Sequence, residues 1–334
     1  MAETSPVRMG VLGCADIAWR RTLPAFAASD RVEIVAVASR HRDKACRFAQ
    51  RFGCQAVTGY DALLERSDIE AVYIPLPTGL HAEWCAKALE AGKHVLVEKP
   101  LAATHREASG LVALADRFGL CLMENRMFAY HSQHAAVREL VAAGAIGELR
   151  VFGSTMAVPP RPAEDIRYRP DLGGGALLDV GYYPLQASLL FLAQPLAVIG
   201  AALHVDPAHG VDVRGSVLLG AADGVTAHLT FGLEHSYRSG YELWGSRGRL
   251  ILERAFTPPA TWQPAVRIEQ QDRVEVRTLP PFDQFRASVD TFAAAVRDGV
   301  PVREHLRLAL RGAALMDAVR QAASLKTDDS ILVE

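Results

Sequence analysis

The sequence has no apolar segment long enough to cross a membrane and no excess of either charge. Its hydrophobic runs fall short of the roughly 20 residues that a membrane-spanning helix needs, so we expect no membrane partner. The formal net charge at pH 7 is −2, which does not favour binding to nucleic acid. The first residues have neither the basic nor the apolar part of a secretion signal. We therefore expect a cytoplasmic protein.

Cysteine is scarce, and the spacing of the cysteines argues against both disulfide bonds and a zinc site. The chain has five cysteines, an odd number with no CxxC pair. Such a set is not typical of a disulfide framework or a zinc site, so we predict reduced residues that serve only packing. His131 and His134 have a metal-like spacing, but no third ligand or HExxH glutamate accompanies them. We predict no metal site.

Regular alternation of strands and helices dominates the first half of the chain. The 334 residues, half of them hydrophobic, are enough for two domains. Strand patterns at residues 7–12, 32–38, 71–74 and 94–97 are separated by helical patterns, which is typical of βαβ units and a parallel sheet. We predict an α/β fold in which residues 1–125 form a doubly wound parallel Rossmann domain.

In the second half, strands follow one another with little helix between them. Residues 126–334 are predicted to form an α+β domain on a largely antiparallel open sheet, for substrate binding and oligomerisation. Two final helices, near 282–297 and 304–324, are expected to pack back on the first domain. The open sheet has a face of the kind that a second subunit often covers, so we expect a homodimer or homotetramer.

Lys99 lies just beyond the carboxyl end of a buried strand, followed by Pro100. Open α/β sheets place their ligand crevice at this end of their strands. Proline cannot continue the strand and restricts Lys99 to extended geometry. We expect the Lys99 ammonium to face the reacting carbon of a substrate.

The turn after the first strand is a degenerate GxGxxG, with alanine at its second and third glycine positions. Gly13 permits the tight turn, a small Ala15 lets backbone N–H groups approach a pyrophosphate, and the helix that follows adds partial positive charge. The predicted cofactor residues of this turn are Gly13, Cys14, Ala15, Asp16 and Ile17. A plain βα turn without a nucleotide is the alternative.

The end of the second strand predicts which dinucleotide binds. An acid is usual there in enzymes that use NADH, but this strand ends in Ser39, Arg40 and, shortly after, Arg42. A hydroxyl and guanidinium groups suit a 2′-phosphate. We therefore predict NADPH, with a solvated basic loop as the alternative.

A glycine-rich stretch at residues 173–186 carries acid and tyrosine side chains. The three glycines are expected to let the backbone pass close to something flat, such as the nicotinamide. In a helix, Asp179, Tyr183 and Gln186 would share one face, although Tyr182 lies near that face too and spacing does not choose between the tyrosines. Reduction of a ketone needs a proton donor, and a lysine ammonium beside a phenol makes it a better acid. Ordinary half-buried tyrosines are the alternative.

These elements together resemble the glucose–fructose oxidoreductase/inositol dehydrogenase (Gfo/Idh/MocA) family over essentially the whole chain. The resemblance rests on residues 13–18, 75–81, 98–100 and 173–183. Within the family the chain is most similar to the NADPH-dependent 3-ketoreductases of TDP-linked deoxysugar biosynthesis, through residues 13–21, 178–184 and 256–261.

The resemblance implies roles for individual residues. Lys99 matches the family's lysine beside the nicotinamide and the substrate oxygen, and Glu98 belongs to the same element. Further cofactor-contacting positions are Leu76, His81 and Asp179. Family dehydrogenases commonly have histidine at Tyr183 and aspartate at Gln186. This departure fits the ketoreductase branch, and the resemblance selects Tyr183 over Tyr182 as the tyrosine that protonates the carbonyl oxygen.

The resulting hypothesis is an NADPH-dependent reductase of the C3 ketone of a TDP-linked 3-keto- or 3,4-diketo-(2,6-di)deoxyhexose. Either Tyr183 or Lys99 is the immediate proton donor. Candidates for binding the substrate lie in loops of the second domain: Arg167, Arg169, Tyr237 and Thr257, the last in a loop with Phe256. A sugar or cyclitol dehydrogenase of the same family and a non-catalytic dinucleotide sensor are the alternatives.

Overall fold

The computed structural model describes residues 5–324, which divide into two compact units. Of the described residues, the first unit contains 5–127 and 284–310, and the second contains 128–283 and 311–324. Residues 284–310, which the sequence assigns to the second predicted domain, lie in the first unit. Within the described residues, no helix has both the length and the apolar character needed to span a membrane.

A six-stranded parallel sheet forms the centre of the first unit, in the order β3-β2-β1-β4-β5-β6. The strands are β1 (Val7–Leu12), β2 (Val32–Ser39), β3 (Gln55–Thr58), β4 (Ala71–Ile74), β5 (His94–Glu98) and β6 (Leu122–Asn125). The strand order reverses between β1 and β4, where doubly wound sheets bind their ligand at the carboxyl ends of the strands. β4, β5 and β6 are almost entirely buried; for β4 and β5 their apolar runs predict this. The doubly wound α/β prediction is confirmed.

The α-helices of the described chain complete both units. They are α1 (Leu23–Ala27), α2 (Arg42–Phe52), α3 (Asp61–Leu64), α4 (His81–Glu90), α5 (His105–Phe118), α6 (Ser132–Ala142), α7 (Tyr182–Phe191), α8 (Gln284–Asp298) and α9 (Arg303–Ser324). α8 belongs to the first unit, and α9 crosses from the first unit to the second.

Two helices begin with a π-helical turn that sequence periodicity did not predict. Residues Ala18–Thr22 precede α1, and residues Leu177–Gly181 precede α7. Each turn lies just before a proline, Pro24 or Pro184, whose missing N–H removes one α-helical hydrogen bond. Such turns occur frequently at functional sites. Both lie in stretches that the sequence predicts to bind cofactor or substrate.

Glu70 attaches helix α8 to the sheet of the first unit. Its carboxylate accepts hydrogen bonds from both terminal nitrogens of Arg297, at 2.9 and 2.5 Å, and from the backbone N–H of Arg8 at 3.0 Å. Arg297 also donates to the carbonyl oxygens of Ser5 and Pro6. The bond from Arg297 is the main cause that lowers the pKa of Glu70 to about 2.

Replacing Glu70 with glutamine is expected to lower the free energy of unfolding at pH 7 by about 1–2 kcal/mol, after allowance for partial exposure of the pair. Because the folded-state pKa is depressed, the stabilisation is present above the ordinary pKa of 4.5 and is lost as pH falls towards about 2. Urea unfolding at neutral pH and at about pH 3 measures the difference. The exposed Glu65→Gln serves as a matched control. An equal difference between Glu70→Gln and the unmutated protein at both pH values would contradict the assignment.

An eight-stranded open sheet forms the second unit, in the order β14-β13-β12-β11-β7-β10-β9-β8. The strands are β7 (Leu149–Ala157), β8 (Leu196–Asp206), β9 (Val211–Ala221), β10 (Thr226–Gly232), β11 (Arg238–Gly245), β12 (Arg249–Glu253), β13 (Ala265–Gln270) and β14 (Arg273–Thr278). Within this sheet, β7 and β10 are the only described neighbours that pair in parallel, so the prediction of a largely antiparallel sheet is confirmed. α7 packs on β7 and β10 and covers one face around Phe152 and Phe231, which are fully buried.

Candidate active site

The turn after β1 has a shape that only glycine permits. Gly13 has a φ of +122°, and a Cβ at this position would lie 2.8 Å from Cδ2 of Leu76. The Gly13 N–H donates to the carbonyl of Ala38 at 3.0 Å. A helix starts directly after the turn, at Asp16, so its N–H groups are available to an anion. This arrangement fits a dinucleotide pyrophosphate, and it brings Leu76, another predicted cofactor residue, against the turn.

Cys14 contributes packing to this turn and not thiolate chemistry. Its side chain is buried, and Sγ lies 3.9 Å from the carbonyl oxygen of Ala38 and 3.7 Å from that of Lys44. Burial raises the pKa of the thiol to about 11, so it stays protonated at neutral pH. This agrees with the prediction of a reduced packing residue.

Ser39 and Arg40 lie where β2 ends, together with a tyrosine that the sequence did not indicate. The Ser39 hydroxyl oxygen accepts the backbone N–H of His41 at 3.2 Å, which leaves its own hydrogen for another acceptor. Arg40 acts on the Tyr60 side chain: burial raises the pKa of this phenol, and the guanidinium partly offsets the rise. Tyr60 follows β3, and no spacing rule connects it with β2. Arg42 opens α2 and is exposed. These donors fit a 2′-phosphate.

Replacing Arg40 with alanine is expected to raise KM for NADPH by about 10–100-fold, the value of one charged hydrogen bond. KM for NADH should change little, because NADH lacks the 2′-phosphate. Steady-state kinetics with both cofactors measure the ratio, with the exposed Arg117→Ala on α5 as control. A preference for NADH in the unmutated protein would contradict the cofactor prediction.

Lys99 follows β5 directly, and the Glu98 carboxylate before it is held inside the first unit. Glu98 accepts hydrogen bonds from the Tyr73 hydroxyl and the Asn125 amide, both at 2.7 Å. Tyr73 also lies 2.9 Å from the Thr22 hydroxyl. Burial raises the pKa of Glu98, while these two donors and Lys99 oppose the rise. Glu98 thus anchors the backbone that carries Lys99, a role that the sequence did not predict.

His81 joins the segments that follow β4 and β5. Its ring is buried, with Nδ1 2.8 Å from the carbonyl oxygen of Pro100 and Nε2 2.8 Å from that of Leu76. Burial lowers the pKa of His81, and Lys99 contributes to the same effect. His81 therefore fixes the loop containing Leu76 relative to the segment containing Lys99.

Tyr183 lies in an aromatic cluster of the second unit and is 6% exposed. Its ring stacks on Phe256, with centroids 5.4 Å apart and planes at 30°, and contacts the edges of Phe128 and Tyr182 at 5.7 and 5.6 Å. The cluster fixes the plane of the phenol. Phe256 is fully buried, and Thr257 beside it, a candidate for substrate binding, is half-buried.

Asp179 and Arg167, predicted to serve cofactor and substrate respectively, form an ion pair of 2.5 Å. Arg167 also bonds Asp165 at 3.0 Å, and the two carboxylates raise the pKa of its guanidinium. Arg169 pairs with Asp171 at 2.7 Å. Both arginines that were candidates for binding the substrate are therefore paired with neighbouring acids, and Arg167 orients Asp179.

Two of the three glycines at 173–175 lie close to other segments of the second unit. A Cβ on Gly174 would lie 2.6 Å from the carbonyl oxygen of Arg167. Gly175 has a φ of +116°, and its Cβ would meet the carboxylate of Asp212. Asp212 accepts the backbone N–H of Leu177 at 2.6 Å and so caps the helical segment that carries Asp179 and Tyr183. The sequence did not indicate Asp212, which lies on β9.

Among residues 5–324, no group of three or more His, Cys, Asp or Glu side chains could hold a metal ion. His134 instead belongs to the aromatic core, with Nδ1 2.9 Å from the Tyr241 hydroxyl. Burial lowers the pKa of His134 to about 3 and that of His131 to about 4. Both rings are therefore neutral at physiological pH.

Known proteins resemble this chain over nearly its whole length. Two relatives carry the name dTDP-3,4-didehydro-2,6-dideoxy-alpha-D-glucose 3-reductase. The one from Actinomadura kijaniata is 53% identical, and the match covers 96% of this chain and 97% of the relative. The one from Streptomyces violaceoruber is 54% identical, and the match covers 96% of both chains. The crystal structure of a 3-ketoreductase from Actinomadura kijaniata with NADP and TDP-benzene has a TM-score of 0.94 and 53% identity, covering 95% of this chain and 98% of that one.

Variants of that Actinomadura enzyme have also been solved with NADP and TDP-benzene, one with a tyrosine changed to phenylalanine and others with a lysine changed to alanine or glutamate. The replaced lysine and tyrosine are separated by the same number of residues as Lys99 and Tyr183 are here. Residues 7–126 match the model of an oxidoreductase family with an NAD-binding Rossmann fold, and residues 134–251 match the GFO/IDH/MocA C-terminal domain. The chain belongs to the GFO/IDH/MocA family of oxidoreductases.

Proposed function

We propose that this protein is an NADPH-dependent reductase of the C3 ketone of a TDP-linked 3,4-diketo-2,6-dideoxyhexose in deoxysugar biosynthesis. The observation that carries the proposal is the 53–54% identity, over at least 96% of this chain, to two 3-reductases of such a substrate. The glycine turn and the hydroxyl, phenol and guanidinium groups at the end of β2 support NADP as the cofactor.

The proposed chemistry needs a hydride at C3 and a proton at the carbonyl oxygen. Bound NADPH supplies the hydride. As the C–H bond forms, the electrons of the carbonyl double bond move to oxygen, which must be protonated in or directly after the transition state. Tyr183 donates this proton, and Lys99 hydrogen-bonds the same oxygen and stabilises the developing negative charge. In the alternative division, Lys99 donates and Tyr183 orients the substrate oxygen.

The structure supports these roles through the way each side chain is held. Lys99 is carried by backbone that Glu98 and His81 fix on both sides. The Tyr183 ring is fixed by Phe256 and Phe128, and Asp179, one helical turn before it, is oriented by Arg167. A proton donor must lie within hydrogen-bond reach of its acceptor, so residues held in this way suit catalysis. A dinucleotide sensor would need no such proton donor.

We assign cofactor binding to the first unit and substrate binding to the second, and we propose a cytoplasmic homo-oligomer. One face of the eight-stranded sheet is covered by α7, whereas the other carries exposed apolar side chains, among them Trp244, Val274 and Val276, each more than half exposed. Faces of this kind commonly lie against another subunit.

A panel of TDP-linked keto-sugars with NADPH tests the proposed function. We expect oxidation of NADPH at 340 nm and a product that is heavier than the substrate by two hydrogens. With NADPH deuterated at the transferred hydride, deuterium should be found at C3 of the product sugar. A parallel panel of free sugars and inositols with NADP⁺ tests the dehydrogenase alternative. Turnover of that second panel alone would overturn the proposal.

A further inference from the structure

A guanidinium between two exposed aromatic rings lies at one end of the second unit's sheet. Cζ of Arg254 is 4.8 Å from the ring centroid of Trp262 and 5.9 Å from that of Tyr237. The two aromatic residues are 37% and 45% exposed. We call Tyr237, Arg254 and Trp262 the Arg254 cluster. Adjoining exposed apolar surface can mark a ligand-binding site.

Arg254 differs from the two arginines that the sequence suggested for substrate binding. Arg167 and Arg169 are both paired with carboxylates, whereas no described carboxylate lies within ion-pair distance of Arg254. Contact with aromatic rings uses the flat faces of a guanidinium, while its N–H donors lie in the plane. The cluster therefore holds Arg254 in place without using the donors that bind an oxyanion.

The backbone at Arg254 is held in a conformation that its side chain disfavours. Its φ is +51°, and within residues 5–324 no other residue except glycine has a positive φ. A left-handed conformation costs a bulky residue free energy that glycine would avoid. Arginine at this position therefore lowers the free energy of unfolding relative to glycine. Backbone strain of this kind concentrates at functional sites such as ligand-binding sites.

The Arg254 cluster is connected to the aromatic cluster around Tyr183. Tyr237 precedes β11 and Arg254 follows β12, and the two strands are antiparallel neighbours, so both residues lie at the same end of the sheet. Just after Arg254, the Ala255 and Phe256 N–H groups donate to the carbonyl and hydroxyl oxygens of Ser239, each at 3.3 Å.

Phe256 stacks on Tyr183, and two residues of chain span at most about 7 Å. The backbone that carries Arg254 therefore lies close to the ring that stacks on Tyr183, the phenol that we propose as catalytic.

We propose that Arg254 binds the diphosphate of the TDP moiety and that Trp262 and Tyr237 hold its guanidinium and offer apolar surface to the thymidine. This inference rests on the proposed function, because it takes the substrate to be a TDP-sugar. The planar fork of arginine can bind two phosphate oxygens at once, and the sugar would then extend from the cluster towards Tyr183.

Titration calorimetry with TDP, separately from NADPH, tests the proposal. Arg254→Ala should weaken TDP binding at least about tenfold, as expected for loss of a charge-assisted hydrogen bond, with NADPH binding unchanged. Arg254→Lys should recover only part of the affinity, because an ammonium lacks the fork. Trp262→Leu should weaken TDP binding less than Arg254→Ala. Arg150→Ala, an exposed arginine near the other end of β7, is the matched control.

Arg254→Gly separates binding from folding. It removes the guanidinium and also relieves the strain, so we expect an unchanged or higher Tm together with weakened TDP binding. Unchanged TDP affinity in both Arg254→Ala and Arg254→Gly, with TDP bound by the unmutated protein, would overturn this inference and leave the proposed function intact. Equal loss of TDP and NADPH binding would also overturn it. Failure of the unmutated protein to bind TDP would instead contradict the proposed function.

Discussion

Tyr183→Phe is expected to lower kcat about 10²–10⁴-fold, the usual effect of losing a general acid. Phenylalanine keeps the ring, so the stacking on Phe256 and the edge contact with Phe128 should remain. Only the hydroxyl is lost. Because we propose that the TDP moiety is bound away from Tyr183, KM for the TDP-sugar and the affinity for NADPH should change little. An effect confined to kcat indicates an interaction made in the transition state.

Tyr182→Phe provides the matched control for this variant. Both tyrosines lie at the start of α7, and both are almost completely buried. Each substitution therefore removes one phenol hydroxyl, from neighbouring positions of the same helix. Kinetics of both variants, with Tm as a check on folding, decide between them. A large fall in kcat for Tyr182→Phe with little change for Tyr183→Phe would show that the wrong tyrosine was chosen.

Local patterns predicted the fold and the positions of several site residues. Continuous apolar runs such as β4 and β5 can be recognised without knowing their neighbours, because a strand buried on both faces needs apolar side chains at every position. Lys99 is conspicuous for the same reason, as a charge placed directly after such a run. The turn at Gly13 could be predicted from its place between the first strand and helix.

The contacts that hold the site could not be predicted in this way. Asp212 caps the helical segment at Leu177 from 35 positions away, and Glu98 is held by Tyr73 and Asn125 on two other strands. No periodicity connects such residues, since only the sheet order brings them together. The π-helical turn at Leu177–Gly181 also changes the angular spacing on which the predicted helix face depended.

Charged side chains show the same limit most clearly. Three arginines lie in or beside loops of the second unit: Arg167, Arg169 and Arg254. The sequence alone does not distinguish which of them binds a phosphate. The structure pairs the first two with carboxylates and places the third against aromatic rings. Whether an arginine is available to a ligand depends on its spatial neighbours, and Asp179, the partner of Arg167, is 12 positions away.

Lys99→Met is expected to lower kcat by about 10²–10⁴-fold as well, whichever of the two proton-donor assignments holds. Methionine keeps much of the length of the side chain and removes the ammonium. The Glu98 carboxylate retains its bonds to Tyr73 and Asn125, so Tm should change little. Lys87→Met, at a half-buried position of α4, is the matched control, because it removes an ammonium from the same unit.

The double variant of Lys99→Met with Tyr183→Phe tests whether the two residues serve one proton transfer. If they do, kcat of the double variant should be only slightly below that of the slower single variant. The first substitution already abolishes the assisted proton transfer, so the second has little left to remove. The residue whose single substitution comes closest to the double variant is then the immediate donor. If both single variants kept nearly full kcat, neither the ammonium nor the phenol would be the acid, and the reductase mechanism on these residues would be wrong.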